Sequence, residues 1–320
     1  MKMPGTSVML VSLVGLLLIV AVLPFVILAW ITPLAPTILP VERARHARFP
    51  HGVIRYEEAG QGERALVFLH GFNGQLGAWS DTWARLDHCG RRVRLDLPGY
   101  GESVWDTPSF TLPEQSERVV AFLDSLGLRQ VTLIGTSMGG SLAAWIAADY
   151  PERVERLALL APSGYTGALR YPGLFGLLLR PGPLNTAATY IARTRVYTRL
   201  CPARKALQAL TGTSSYGPAW VEALGRIRAP TLITWSVGDD GVSYTTARQV
   251  QQAIRGSQLI WLDRATGHLI PQERPELVAE LSCLLAEGVS PATVAERMSP
   301  GILHEGEGAA DSGTRATPTP

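Results

Sequence analysis

The chain has 320 residues, which is enough for one large domain or two ordinary ones. Its formal net charge of +2 at neutral pH argues against nucleic acid or another polyanion as a partner. The three cysteines, Cys89, Cys201 and Cys283, are odd in number and far apart. They therefore predict neither a disulfide framework nor a metal site, and they are compatible with a reducing compartment.

A long apolar segment lies near the N-terminus. No charged residue occurs from Val8 to Ile31, and a helix of this length would extend about 36 Å, enough to cross the hydrocarbon core of a bilayer. A cleaved signal peptide is the alternative, but the run is longer than the apolar region of a typical signal peptide, and no small-residue cleavage site follows closely. We therefore predict a single transmembrane anchor over residues 1–31.

Composition indicates the orientation of this anchor and the organisation of the rest of the chain. Three arginines, at positions 43, 45 and 48, follow the span, and only Lys2 and the terminal amine precede it. This difference slightly favours a cytoplasmic position for the residues after the span, without fixing the side. Prolines mark a connector over residues 32–50, a globular domain is predicted over 51–288, and a disordered tail rich in small residues and proline over 289–320.

Short apolar runs within the globular part are predicted as strands. Most are apolar at every position, which is typical of parallel strands covered by helices on both faces. They span residues 65–69, 93–97, 131–134, 157–160, 231–235 and 258–262, and helical patterns at 114–126, 141–150 and 275–286 alternate with them. The predicted fold class is α/β, with a mostly parallel sheet and helices on both faces.

The interval from 163 to 228 departs from this alternation. It has no convincing strand but many apolar and aromatic residues, so it is predicted to be a helical insertion. On an open α/β sheet, insertions at the carboxyl ends of strands lie over the ligand crevice, which makes this one a candidate cap. The alternative is an additional packing layer that contacts no substrate.

The sequence Gly-Thr-Ser-Met-Gly at 135–139 is the strongest chemical signal. It directly follows a predicted strand and directly precedes a predicted helix, which is the context in which a G-x-S-x-G turn exposes its serine above a sheet. The N–H groups at the start of the helix favour developing negative charge beside that serine. Ser137 is therefore the candidate nucleophile; the alternative is a chance match of a short motif.

A second loop, His-Gly-Phe-Asn-Gly at 70–74, follows the strand at 65–69. Such a turn can direct the backbone N–H of Phe72 toward Ser137, where it would form an oxyanion hole together with the N–H of Met138. For the side chain of His70 we expect hydrogen bonds within the loop and no contact with substrate.

The candidate base is His268, which comes shortly after the last predicted strand, in Ala-Thr-Gly-His at 265–268. A serine and a histidine need a third group that orients the imidazole and stabilises its charged form. Asp239 and Asp240 both follow the strand at 231–235, and Asp239 is the first choice because it lies nearer the end of the strand. The alternative for both is a solvated Asp-Gly turn.

Over residues 51–288 the chain resembles the α/β-hydrolase family. The resemblance depends on HGFNG at 70–74, DLPGYGES at 96–103, GTSMGG at 135–140 and GHLIPQERPELV at 267–278. It implies the order nucleophile, acid, base for Ser137, Asp239 and His268, and acyl transfer without a metal or an organic cofactor. The stretch 161–164, where some members carry the acid, has no carboxylate. Ser236 stands where many relatives have glycine, and this departure leaves the register of the acid open.

The apolar cap and the anchor favour an apolar acyl ester or a lipid as substrate. In this layout the chain is similar to membrane-anchored monoacylglycerol lipases. A carbon–carbon bond hydrolase of ring-cleavage products is the alternative enzyme, because its relatives use the same three residues. A haloalkane dehalogenase is disfavoured because Ser137 stands at the nucleophile position, where that class has aspartate. A non-catalytic binding module on the same fold is a further alternative, although it would have no need of all three groups.

Overall fold

The computed structural model describes residues 41–106, 110–165 and 216–298, and the structural statements below concern these residues. Several predicted segments lie outside them: the apolar run from Val8 to Ile31, the connector up to residue 40, Cys201, most of the candidate cap and the tail after residue 298. Among the helices of the described residues, none combines the length and the apolar character that crossing a membrane requires.

One sheet of nine strands organises the described residues. The strands are β1 (Arg45–Phe49), β2 (Gly52–Ala59), β3 (Ala65–Leu69), β4 (Arg91–Leu95), β5 (Val104–Trp105), β6 (Val131–Thr136), β7 (Val154–Leu160), β8 (Thr231–Ser236) and β9 (Gln258–Leu262). Their order is β1-β2-β4-β3-β6-β7-β8-β9, with β5 paired to β2. From β4 to β9 all neighbours are parallel, whereas β1, β2 and β5 pair antiparallel. The prediction of a mostly parallel sheet is confirmed.

Two layers of helices cover this sheet. The helices are α1 (Ser80–Trp83), α2 (Leu112–Ser125), α3 (Met138–Asp149), α4 (Pro218–Arg226), α5 (Ala247–Ala253), α6 (Ile270–Glu273), α7 (Pro275–Ala286) and α8 (Pro291–Met298). Contacts connect α2, α3, α4 and α5 in one group, and α1, α6, α7 and α8 in another. Short 3₁₀ turns lie at Leu76–Trp79, Pro151–Arg153 and Tyr244–Thr246.

The central strands form the core because their side chains are apolar on both faces. All five residues of β3 are buried, and so are all six of β6 and of β8. At about 25 cal/mol per Å² of apolar surface removed from water, burial of both faces is the dominant contribution that stabilises such strands. A polar substitution in β3, for example at Phe68, would leave an unpaired group in this core.

The structure corrects both predicted boundaries of the globular domain. Residues 45–49, assigned to the connector, form β1, an exposed edge strand whose polar sequence carries no apolar run. Residues 291–298, assigned to the disordered tail, form α8, in which Pro291, Val294 and Met298 are buried. This helix packs against β8 and β9, and only that packing distinguishes its small residues from those of a disordered segment.

The carboxyl-terminal end of the predicted cap interval is also corrected. Residues 218–226 form α4, which packs on α3 within the helical layer, and Trp220 is fully buried there. Its indole N–H donates to the carbonyl oxygen of Ser141 at 3.2 Å. This part of the interval is a packing layer; residues 166–215 lie outside the described residues.

The expectation that the cysteines form no disulfide is wrong. Cys89, which precedes β4, and Cys283 in α7 form a disulfide between residues 194 positions apart, with Cα atoms 5.1 Å apart. Such a pairing could not be read from spacing, because only the packing of α7 near the residue that precedes β4 brings the two thiols together.

Candidate active site

Ser137 stands in a strained turn between β6 and α3. Its backbone has φ 52° and ψ −119°, a conformation that costs free energy for a residue with a side chain and is characteristic of functional sites. Its N–H donates to the carbonyl oxygen of Leu160 at 2.9 Å, and its own carbonyl accepts from the N–H of Ser141 at 3.0 Å. These bonds hold the strained residue in place from both sides.

The two glycines of the motif make this turn possible. A Cβ atom on Gly135 would overlap the carbonyl oxygen of Gly139, and a Cβ on Gly139 would overlap the carbonyl oxygen of Leu69 at the end of β3. The start of α3 therefore lies directly against the backbone of the sheet, which is the close approach expected from the sequence.

The loop after β3 lies beside Ser137. A Cβ atom placed on Gly71 would be 3.3 Å from the Cβ of Ser137, so the loop passes close to this serine. His70 is fully buried; its Nδ1–H donates to the carbonyl oxygen of Gly71 at 2.8 Å, and its Nε2 accepts the N–H of Leu97 at 3.0 Å. Because a backbone N–H can only donate, Nε2 must be unprotonated, and burial lowers the pKa of His70, which keeps it neutral. The expectation that this side chain hydrogen-bonds within the loop is confirmed.

The two predicted oxyanion donors directly follow these two neighbouring residues: Phe72 follows Gly71, and Met138 follows Ser137. Met138 is the first residue of α3, where a backbone N–H has no acceptor within its own helix. Tyr100, which sequence reasoning missed, connects the two residues: its hydroxyl donates to the sulfur of Met138 at 3.1 Å, and its ring lies edge-on to that of Phe72. The signal that could have identified Tyr100 is its place in the motif at 96–103. The role of the two N–H groups stays a prediction.

Asp239 and His268 form a hydrogen-bonded pair. The Nδ1–H of His268 donates to Oδ2 of Asp239 at 2.9 Å, and Oδ1 of Asp239 accepts the N–H groups of Gly241 at 2.9 Å and of Val242 at 2.8 Å. Asp239 is only 2% exposed, so its charge faces these donors rather than water. Asp240 is exposed. Of the two carboxylates that the sequence left open, the structure brings Asp239 to the histidine.

The loop that carries His268 is held by Glu273, a second residue that the sequence analysis did not identify. Its carboxylate accepts the N–H of Gly267 at 2.5 Å and the N–H of Leu269 at 3.1 Å, the two residues on either side of the histidine. Because Glu273 ends the short helix α6, a shift of that helix would move His268 as well. A Glu five residues after the histidine of a Gly-His turn was the available signal.

The position after β7, where some relatives of the resembled family carry the acid, is occupied by a serine network. The Oγ of Ser163 lies 3.2 Å from the Oγ of Ser141 and 2.9 Å from the hydroxyl of Tyr216. Its backbone N–H donates to the carbonyl oxygen of Ser137 at 3.3 Å. This neutral network contacts the turn at Ser137 and offers no carboxylate to the histidine.

The three candidate residues all lie at the carboxyl-terminal end of the sheet. Ser137 follows β6, Asp239 follows β8 and His268 follows β9, and these strands are parallel, so all three come after carboxyl ends. A strained serine at the start of a helix and a histidine paired with a carboxylate are the groups that acyl transfer requires. Among the described residues, His88, Cys89 and Cys283 are the one group close enough to share a metal ion, and two of these three are joined as a disulfide.

Comparison with known families and structures identifies the fold. The model of the family described as alpha/beta hydrolase fold matches residues 64–222. A solved structure described as a membrane phospholipase A, a novel bacterial virulence factor, is similar with a TM-score of 0.62. The sequence identity is 25%, and the alignment covers 89% of this chain and 99% of that one.

Relatives with described activities differ in chemistry. The chain is 30% identical over 239 residues to a dihydrolipoyllysine-residue acetyltransferase component of the acetoin cleaving system from Pseudomonas putida, covering 70% of this chain and 63% of that protein. It is 29% identical to a 2-hydroxy-6-oxononadienedioate/2-hydroxy-6-oxononatrienedioate hydrolase from Paraburkholderia phymatum, over 58% and 74% of the two chains. It is 27% identical to monoacylglycerol lipase abhd6-A from Xenopus laevis, over 68% and 73%. The chain spans less than two thirds of the acetyltransferase component, and 31% of the same component from Cupriavidus necator.

Proposed function

Because this chain belongs to the α/β-hydrolase fold family, we propose that it is a serine hydrolase that cleaves carboxylic esters. Ser137 is the nucleophile, His268 the general base and Asp239 the acid that orients it. The observation that carries this proposal is the 2.9 Å bond between His268 Nδ1 and Asp239 Oδ2, in a carboxylate whose other oxygen accepts two backbone N–H groups.

The mechanism follows from which imidazole nitrogen of His268 carries the proton. Asp239 accepts the proton on Nδ1, so Nε2 is the nitrogen left to remove the proton from the Ser137 hydroxyl. The serine oxygen then attacks the ester carbonyl, and the N–H groups of Phe72 and Met138 stabilise the oxyanion. The proton passes from Nε2 to the departing alcohol, which leaves an acyl-enzyme. Water, deprotonated by the same nitrogen, releases the acid and restores the serine.

An apolar acyl ester or a lipid is the proposed substrate class. Two large apolar side chains are exposed next to the proposed machinery: Phe72, 38% exposed, in the loop beside Ser137, and Leu269, 58% exposed, directly after His268. Exposed apolar side chains at a site suit an apolar ligand, because burying them on binding removes their surface from water. The lipase and phospholipase names of two of the similar proteins support the same class.

Covalent labelling with a fluorophosphonate probe tests the chemistry. We expect the wild-type protein to be labelled and to hydrolyse a short-chain ester, and a folded Ser137→Ala protein to lose labelling and on the order of 10⁴-fold or more of turnover. Ser125→Ala is the matched control, because that hydroxyl caps the end of α2 by donating to the carbonyl oxygen of Phe122. Full labelling of Ser137→Ala would show that Ser137 is not the nucleophile. An unlabelled wild type would favour the alternative of a non-catalytic binding module.

The alternative enzyme, a carbon–carbon bond hydrolase, is supported by the relative from Paraburkholderia phymatum. The two activities are separated by substrate. A short-chain ester and a dienoate ring-cleavage product are offered to the same preparation, with Ser137→Ala as the blank. We expect the higher kcat/KM for the ester; a preference for the dienoate would transfer the proposal to carbon–carbon bond cleavage.

Membrane attachment through residues 8–31 is part of the proposal. It is supported by the absence of charge in that run and by the word membrane in the description of the similar phospholipase structure. We expect the full chain to resist carbonate extraction from membranes, whereas a chain beginning at Arg43 remains active in solution, since β1 starts only at Arg45. Release of the full chain by carbonate, or a mature N-terminus beyond Ile31, would contradict the anchor.

The disulfide bears on which side of the membrane the domain occupies. Disulfides persist in oxidising compartments and are rare where thiols are kept reduced, so the bond between Cys89 and Cys283 supports a domain outside the cytoplasm. The disulfide is a stronger indication than the small excess of arginines after the span, which only slightly favours the cytoplasmic side. Alkylation of the protein in intact cells tests it: we expect one thiol, that of Cys201, to react before reduction and three afterwards. Three reactive thiols without reductant would instead indicate that the domain lies in a reducing compartment.

A further inference from the structure

We propose that Ser236 is a positioning residue whose hydroxyl joins the loop carrying Asp239 to the loop carrying His268. This inference deepens the proposed function and rests on it. Ser236 is the last residue of β8 and is fully buried.

The hydroxyl of Ser236 makes contacts on both loops. Its Oγ accepts the N–H of Gly238 at 2.9 Å, and Gly238 directly precedes Asp239. Its proton is directed to the loop after β9, where it meets the carbonyl oxygen of Thr266 in a short bond and that of Asp263 at 2.9 Å. Thr266 is two residues before His268. One buried hydroxyl therefore connects the backbone just before Asp239 to the backbone just before His268.

The two loops approach each other closely enough for this hydroxyl to set their separation. A Cβ atom on Gly238 would overlap the carbonyl oxygen of Arg264 and approach that of Thr266 to 2.7 Å. The backbone pairing between β8 and β9 extends to the bond from the N–H of Val237 to the carbonyl oxygen of Leu262, at 3.2 Å. After that bond the two chains continue as loops, and the Ser236 hydroxyl provides the hydrogen bonds between them.

The turn from 263 to 266, which accepts the Ser236 hydroxyl, is held by further hydrogen bonds. The N–H and the hydroxyl of Thr266 both donate to Oδ1 of Asp263, each at 3.0 Å. The Nε–H of Arg274 donates to the Thr266 hydroxyl at 2.8 Å. Because the turn from 263 to 266 is held by these bonds, a change at Ser236 shifts the position of one loop against the other and leaves the turn intact.

The consequence of losing the hydroxyl is a change in alignment. Without it, the N–H of Gly238 and the carbonyl oxygen of Thr266 lose a buried partner, and the loops move until these groups find another. A displacement of about 1 Å between reacting groups lowers a rate by roughly a hundredfold. We expect Ser236→Ala to lower kcat by about tenfold to a hundredfold and to leave KM within about twofold, because ground-state binding does not use the alignment of His268.

Thr234→Val is the matched control. Thr234 lies two residues earlier in β8 and is also fully buried, but among the described residues its hydroxyl has no hydrogen-bond partner. The valine keeps the shape of the side chain and removes only the hydroxyl. We expect this variant to keep the wild-type kcat, so that a loss in Ser236→Ala is assigned to the bonds of its hydroxyl rather than to the removal of any buried hydroxyl from β8.

A double-variant cycle distinguishes positioning from a general structural role. If Ser236 acts through the pair of Asp239 and His268, Ser236→Ala should cost less than about twofold once Asp239→Asn has already disabled that pair. Fluorophosphonate labelling rates are measured for wild type, both single variants and the double variant. Equal losses with and without Asp239, or a kcat of Ser236→Ala within about twofold of wild type, would overturn the proposal.

Two further measurements keep the test decisive. If Ser236→Ala does not fold, Ser236→Cys retains nearly the same volume with only a weak donor, and the same loss of kcat is expected. The downfield proton resonance of the bond between His268 and Asp239, identified by its absence in His268→Ala, should shift in either Ser236 variant and stay unchanged in Thr234→Val. An unlabelled wild type would refute the proposed hydrolase, whereas a labelled wild type with unaffected Ser236 variants would refute only the positioning role.

Discussion

Replacing Asp239 by asparagine exchanges one oxygen for an NH₂ group at the partner of His268. In the wild type, Oδ1 accepts the N–H groups of Gly241 and Val242, and Oδ2 accepts the Nδ1–H of His268. An asparagine has one acceptor and one donor end. The two backbone N–H groups retain the carbonyl oxygen of the new amide, which directs its NH₂ group toward Nδ1. The imidazole then accepts at Nδ1 and carries its proton on Nε2.

This change of tautomer determines the size of the effect. A histidine protonated on Nε2 cannot remove the proton of Ser137, although the fold and the distances are kept. Conversion of the acid to its amide in a serine protease triad lowers kcat by about 10⁴-fold, or roughly 5.5 kcal/mol of transition-state stabilisation. We expect the same order of loss here for Asp239→Asn. For Asp240→Asn, whose side chain is exposed, we expect a kcat within about twofold of wild type.

Both variants are assayed on one short-chain ester, with thermal unfolding as the control for the fold. Labelling by the fluorophosphonate probe should slow in parallel with kcat, because attack by Ser137 on the probe needs the same base. The reasoning is refuted if Asp239→Asn keeps more than about a tenth of the activity, or if Asp240→Asn is the more damaged variant. The second result would transfer the acid role to Asp240.

Three further expectations concern residues around the site. Since burial lowers the pKa of His70 below its ordinary 6.5, the unfolded chain binds a proton there before the folded one. We expect the free energy of unfolding to fall as the pH drops below about 6.5, by up to about 1.4 kcal/mol per pH unit from this group, and that part to be absent from urea titrations of His70→Gln. Reducing the disulfide, or Cys283→Ser, should lower the free energy of unfolding by about 2–4 kcal/mol, whereas Cys201→Ser, outside this bond, should not; equal stabilities would contradict its role. Glu273→Gln removes one of the two acceptors for the N–H groups of Gly267 and Leu269, so kcat should fall about threefold to tenfold with KM unchanged, and an unaltered kcat would show that the loop holds itself.

The central strands and the nucleophile turn could be predicted from sequence because their signals are local. The five residues of β3 are apolar and buried on both faces, which is visible in the letters themselves. The turn at Ser137 lies between a strand and a helix with glycines at both flanks, and each of those features occurs within a few residues. The hydrogen bond of His70 within its own loop is local as well, since its Nδ1–H donates to the carbonyl oxygen of the next residue, Gly71.

The choice between Asp239 and Asp240 required the tertiary structure. The two residues are adjacent and chemically alike, and which of them faces inward depends on how residues 237–242 turn after β8. It depends equally on His268, which is 29 residues further along and approaches from the next strand. No local pattern distinguishes them, because the discrimination is made by a contact between two loops.

The other features that the sequence analysis missed also depend on contacts between segments that are distant in the chain. Strand β1 is a polar edge strand that becomes visible only through its pairing with β2, and α8 is distinguished from a disordered tail by its packing on β8 and β9. Cys89 and Cys283 are 194 residues apart and meet through the position of α7. By itself the sequence determined what periodicity, turn chemistry and short motifs encode, namely the central sheet and the serine at its edge. The partners of His268, the disulfide and the ends of the domain were decided by long-range packing, since their energies arise from groups that are neighbours only after the chain has folded.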